Sequence, residues 1–121
     1  MFEKNLLKAK RILVTGGGSG LGAAMGRRFL QLGAELIICG RRLELLEATA
    51  AELRRDEGGK VTAIRCDIRD GAAVEAMLDA VWLDGPLDVL VNNAAGNFTV
   101  LAAKHLVTDW AMEAWYHPSI A

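Results

Sequence analysis

The sequence predicts a three-layer α/β/α fold around a parallel sheet of about four strands in the order 3-2-1-4, incomplete relative to larger folds of this kind. Two observations carry that expectation. Short β-branched runs alternate with amphipathic helical stretches over residues 1–98, and the first strand-to-helix junction is crowded with glycine. Residues 99–121 break the alternation and read as a divergent tail, helical in part.

The elements follow in order. Arg11 to Thr15 is a buried strand running into the glycine cluster. Leu21, Met25, Phe29 and Leu32 recur at helical spacing and mark the expected inner face of a first helix, which Gly33 stops. Glu35 to Cys39 is a second strand. Leu43, Leu46, Ala50 and Leu53 lie along one face of a second helix ending at Gly58-Gly59, and Val61 to Cys66 is a third strand. Asp70 is placed to cap a third helix with Val74, Met77, Leu78 and Val81 on its inner face. Gly85-Pro86 breaks that helix, and Asp88 to Asn92 is a fourth strand. Connections of this length favour right-handed crossovers, with helices on both sheet faces. The resulting fold class is Rossmann-like.

Composition narrows the function classes. The 121 residues suit one domain, and 52% hydrophobic with 24% charged content is that of a folded globular chain. A net charge of −1 with dispersed Lys and Arg argues against nucleic acid as a partner. Apolar runs are too short for a membrane span, and Met1 to Arg11 carries both charge signs, so neither membrane insertion nor a targeting segment is expected. The expected setting is cytoplasmic, with Cys39 and Cys66 as reduced, buried thiols. His105 and His117 have no third partner for a metal, and none is expected.

The glycine turn carries the chemistry. At a helix N-terminus, backbone N–H groups and the helix dipole favour an anion, and glycines let a pyrophosphate approach without an intervening Cβ. Gly16, Gly17, Gly18, Ser19, Gly20, Leu21 and Gly22 are therefore candidate nucleotide-binding residues. The spacing Gly-x-Gly-x-x-Gly fails because position 23 is Ala23. Thr-Gly-x-x-x-Gly-x-Gly fits through Thr15, Gly16, Gly20 and Gly22, while Gly18, Gly20 and Gly22 also match a turn found in S-adenosylmethionine-dependent methyltransferases.

The end of the second strand discriminates between them. NAD and S-adenosylmethionine sites place a carboxylate there for the ribose hydroxyls, whereas this chain has Gly40-Arg41-Arg42. A guanidinium suits a 2′-phosphate, so Arg41 and Arg42 point to NADP(H), with NAD less favoured. Cations at a helix N-terminus oppose the dipole, and a compensating anion is expected nearby. Asp67 and Ile68 follow the third strand, where a carboxylate can accept from an adenine amino group or close an Asx turn. Asn93 and Ala94 follow the fourth, where small residues permit backbone approach to a ribose and an Asn can tie strands together.

Taken together, Thr-Gly-Gly-Gly-Ser-Gly-Leu-Gly, Gly-Arg-Arg, Cys-Asp-Ile-Arg-Asp and Asn-Asn-Ala-Ala-Gly-Asn-Phe resemble the short-chain dehydrogenase/reductase family over Lys10 to Phe98. The last two motifs look most like the branch holding 2,4-dienoyl-CoA and peroxisomal trans-2-enoyl-CoA reductases. The resemblance implies an NADP-dependent oxidoreductase acting on an enoyl- or dienoyl-CoA. It also implies that Gly16 to Leu21 cradle the pyrophosphate, Arg41 holds the 2′-phosphate, Asp67 meets adenine, and Asn93 stands beside the adenine-side ribose and braces the sheet. Ala95 stands where the usual motif has glycine.

Past Phe98 the motifs are no longer recognisable. The catalytic Ser and Tyr-x-x-x-Lys of the family have no counterpart here, because the one tyrosine, Tyr116, is followed four residues on by Ile120, and no lysine follows Lys104. The expectation is a chain that holds cofactor and does not complete catalysis, its tail arising from truncation, a frame shift or divergence. A fourth strand without its next neighbour would be an apolar edge prone to self-association. A non-catalytic nucleotide-binding or assembly module is the alternative function.

Overall fold

The computed structural model describes residues 5–93. The elements run β1 (Arg11–Thr15), α1 (Gly20–Gln31), β2 (Glu35–Gly40), α2 (Leu43–Glu57), β3 (Val61–Arg65), α3 (Gly71–Leu83) and β4 (Val89–Asn92). The strands form one sheet in the order β3-β2-β1-β4, the order expected of a Rossmann-like fold. Every pairing is parallel: Leu13 lies opposite Ile37 and Leu90, and Ile37 opposite Thr62.

Strand alternation splits the core in two. Ile12, Val14, Leu36 and Ile38 point to one face, where Leu30 of α1 and Leu46, Ala50 and Leu53 of α2 cover them. Leu13, Ile37 and Cys39 point to the other, under Val74, Met77, Leu78 and Val81 of α3. The inner faces expected for α2 and α3 are thus largely those observed, although Leu43 at the start of α2 is exposed. Each fully buried Leu or Ile contributes roughly 1.5–3 kcal/mol, and these two faces hold nearly all of them.

Helix α1 differs from expectation. Its buried residues are Gly22, Gly26 and Leu30, while Met25 and Phe29 flank the core and Leu21 is 68% exposed. The cause is close packing. A Cβ on Gly26 would stand 2.8 Å from Leu36 Cδ2, so the helix turns its glycines, rather than its leucines, toward β2. Hydrophobic periodicity scores a glycine as neutral and therefore rotates this face by about one residue.

The amino end of the sheet is closed by charge. Buried Arg11 donates its backbone N–H to Asp88 Oδ2 (2.8 Å) and its Nη1 to the carbonyls of Val81 (2.9 Å) and Gly85. Its Nε lies 3.2 Å from the Glu35 carboxylate, which Lys60 also approaches at 3.6 Å. Among the described residues no helix is long and apolar enough to cross a membrane.

Candidate nucleotide site

Parallel pairing brings the carboxyl ends of β1, β2 and β3 to one edge, with the turns into all three helices. At the first turn, the Gly16 N–H continues the β1–β2 ladder by donating to the Cys39 carbonyl (2.8 Å). Gly16 (φ 65°) and Gly20 (φ 57°) take left-handed backbone angles that a side chain would strain. Gly17 presses on Ile38, where a Cβ would come within 2.5 Å of Cγ2. The Gly18 carbonyl accepts from the Thr49 hydroxyl (2.6 Å), which ties the turn to α2.

The turn is also fastened to β4. Asn93 donates its backbone N–H to the Thr15 hydroxyl oxygen (3.0 Å) and its Nδ2 to the Gly16 carbonyl (3.4 Å). Gly22 lies directly beneath these groups. Helix α1 begins after Ser19, which is exposed and whose side chain makes no capping hydrogen bond, and its first turn holds no acidic residue.

At the second turn, Arg41 and Arg42 are exposed and Arg42 occupies the N-cap position of α2, again without a side-chain cap. Glu44 is the acidic residue in the first turn of α2. At the third turn Asp67 closes an Asx turn: its Oδ1 accepts from the backbone N–H of Arg69 (3.0 Å) and from Arg69 Nε (3.0 Å), and its Oδ2 from Arg69 Nη2 (2.9 Å). Those bonds hold the Asp67 carboxyl down at about 2, with Arg69 as the main cause and the more distant Arg41 a lesser one. Asp70 caps α3 as expected, accepting from the backbone N–H groups of Ala72 and Ala73.

Between the three turns lies a cleft of about 450 Å³. Gly16, Gly18, Ser19, Arg41, Arg42, Asp67, Ile68 and Asn93 line it, all of them expected site residues. Gly17, Gly20, Leu21 and Gly22 do not: they shape the turn from behind or from the side. Ile68 is buried in the α3 core. Ala94 lies outside the described residues, as do His105 and His117. Gly40, Leu45, Leu46, Cys66 and Arg69 also line the cleft and were not anticipated. Arg69 had a legible signal, a cation two residues after an Asx-turn aspartate. The leucines had none, because Leu46 reads as ordinary helix core and Leu45 falls off the apolar face of α2.

Both thiols are free and buried. Burial raises Cys39 to about 12, and burial foremost raises Cys66 as well. Neither is a nucleophile at neutral pH. Among the described residues no group of His, Cys, Asp and Glu is arranged to hold a metal ion.

A family model described as short chain dehydrogenase matches residues 10–117, further than the Lys10 to Phe98 over which motifs are recognisable. A probable 2,4-dienoyl-CoA reductase of Bacillus subtilis (strain 168) is 40% identical over 105 residues, 86% of this chain and 41% of that protein. A probable 2,4-dienoyl-CoA reductase 3 of Caenorhabditis elegans is 44% identical over 108 residues, 88% of this chain and 35% of that one. The chain thus spans well under half the length of these relatives. Among solved structures, a citronellol catabolism dehydrogenase of Pseudomonas aeruginosa PAO1 superposes with a TM-score of 0.76 at 34% identity, covering 95% of this chain and 46% of its own. The RhlG/NADP active-site complex of Pseudomonas aeruginosa gives 0.70 at 33% identity, with 79% and 38% covered.

Proposed function

The chain belongs to the short-chain dehydrogenase family, and from that premise we propose that residues 1–98 are the NADP(H)-holding portion of an oxidoreductase whose substrate is an enoyl- or dienoyl-thioester. One observation carries the cofactor assignment: two helix N-termini without side-chain caps, at Ser19 and Arg42, open on one cleft beside Arg41. The residues present fit a dinucleotide phosphate. The turn excludes any Cβ at Gly17 and Gly22, and cations stand at the end of β2 where an NAD site needs a carboxylate.

The roles follow from donor and acceptor chemistry. Backbone N–H groups of the turn from Gly16 to Gly22 bind the pyrophosphate, and the α1 dipole adds to their field. Arg41 and Arg42 donate to the 2′-phosphate. Asp67, kept ionised by Arg69, accepts from the adenine amino group beside Ile68. Asn93 and Ala94 border the adenine-side ribose, and Asn93 holds the turn in register with β4. When bound, NADPH supplies the hydride. Residues 1–121 contain no Tyr-x-x-x-Lys to orient the nicotinamide ribose and transfer a proton, so this chain alone binds without turnover. A cytoplasmic setting fits the two free thiols.

Calorimetric titration with NADPH, NADH and S-adenosylmethionine tests this reading. Binding of NADPH about tenfold or more tighter than NADH is expected. Equal affinities for the two would remove the Arg41 assignment, and binding of S-adenosylmethionine alone would replace the cofactor. NADPH oxidation with a dienoyl-CoA by the 121-residue chain would overturn the claim of inactivity.

One observation favours a second reading, self-association as an assembly module. Among the described residues β4 pairs only with β1, and Val89 on it is 40% exposed. Sedimentation showing a monomer at all concentrations would exclude it.

A further inference from the structure

Arg41 and Arg69 stand on different loops of the same cleft, with one carboxylate, Asp67, within electrostatic reach of both. The two cations are not equivalent. Arg69 supplies every hydrogen bond that Asp67 accepts among the described residues: both carboxylate oxygens meet its guanidinium side-on, at 3.0 and 2.9 Å, and its own backbone N–H completes the turn at 3.0 Å, which leaves Oδ2 able to accept one more. Arg41 has no hydrogen bond or ion pair among the described residues and acts on Asp67 only through longer-range charge.

We propose that Arg69 is a specificity-determining residue for the 2′-phosphate: by holding the Asp67 carboxylate, it keeps Arg41 unpaired and available to the phosphate. The assignment rests on the NADP(H) reading above. A free carboxylate in this cleft would oppose a phosphate twice, by repelling it and by capturing the guanidinium meant for it. Pairing to Arg69 removes both effects. It leaves three arginines against one carboxylate around the cleft, a net positive site suited to the phosphate-bearing dinucleotide. The low value of the Asp67 carboxyl agrees, since hydrogen bonding from Arg69 is its main cause and Arg41 the smallest. A bidentate fork fixed by a backbone anchor holds this geometry better than a single ammonium would.

The test measures NADPH and NADH affinities by calorimetry in the wild-type chain and in R69A, D67N, R69K and the double variant R69A/D67N. In R69A the preference for NADPH is expected to fall about fivefold, the scale of a partly exposed ion pair, with NADH little changed. Removing the carboxylate as well, in R69A/D67N, is expected to restore the wild-type preference, because Arg41 then has nothing to pair with. The lysine variant is expected to fall between the two. A merely structural role for Arg69 would weaken both dinucleotides together, and the double variant would be no better than R69A. Either result overturns the proposal. A wild-type chain with no preference for NADPH overturns the cofactor reading and this assignment with it, whereas a full preference retained in R69A overturns this assignment alone. Arginine Nε–H exchange measured by NMR without added nucleotide gives an independent readout. Slowed exchange at Arg41 in R69A supports the proposal, and unchanged exchange counts against it.

Discussion

The three helices begin at the same edge of the sheet, yet their first turns are built differently. Helix α3 is closed from within: the Asp70 carboxylate accepts from Ala72 and Ala73 at 3.1 and 3.3 Å. Helices α1 and α2 are left open, although Ser19 is a residue type that caps well. A side-chain cap stabilises a helix by about 1 kcal/mol, so leaving two ends without one has a cost in stability. The open ends face the cleft and the closed one does not need to. Backbone donors that no side chain satisfies are donors a ligand can use.

The comparison is broken most severely at α1. In Gly22→Ala the new Cβ would be driven into the Gly16 carbonyl oxygen and stand 2.7 Å from Asn93 Nδ2. The nearest of them, the Gly16 carbonyl oxygen, is backbone, so the turn itself must move. Loss of all measurable dinucleotide binding is expected, with destabilisation of about 3 kcal/mol read from urea unfolding. Retained affinity in a folded G22A chain would mean that the turn does not form the site.

At α2 the open end works with a cation, so the expected loss is selective. Arg41→Ser should weaken NADPH by about tenfold or more and leave NADH nearly unchanged, measured by calorimetry. A parallel loss of both would show that Arg41 supports the fold of the loop and not a phosphate.

How far these differences were legible in the sequence depends on what each feature is made of. The strands and the inner face of α3 follow from apolar periodicity, which reports burial directly, and the sheet order from the Rossmann-like fold class that the alternation and the glycine turn imply. The Asp70 cap follows from residue type at a helix start. The face of α1 did not follow, because Gly22 and Gly26 bury backbone rather than side chain and leave no hydrophobic signal. Nor did the buried Arg11, whose partners Val81, Gly85 and Asp88 are distant in sequence. At the site, Arg41 and the glycines were legible as types at a known junction. The pairing of Asp67 with Arg69 left only a faint signal, a cation two residues after a turn aspartate, which reads equally well as two solvated residues.

The closed end offers the control that sharpens the comparison. Asp70→Ala should destabilise the chain by about 1 kcal/mol, lowering Tm by several degrees, while dinucleotide affinity stays at the wild-type value. A drop in affinity comparable to that of Arg41→Ser would place α3's first turn in the site and erase the distinction between open and closed ends.

The smallest effect belongs to the other aspartate of the same loop. Asp67 sits at about 2 in the folded chain against an ordinary 3.8, chiefly through its bonds from Arg69. A carboxyl lowered on folding contributes stability that is fully present above its unfolded value and is lost as pH falls through its folded value. The window therefore lies between about pH 4 and pH 2, and neutral pH is untouched. Urea midpoints measured across that window should fall less steeply in Asp67→Asn than in the wild type, because the amide has no proton to take up. Because the pair is partly exposed, salt should shrink the difference further. Identical pH profiles for the two proteins would show that the Arg69 bonds do not persist in solution, and Asp67 would then be free to pair with Arg41.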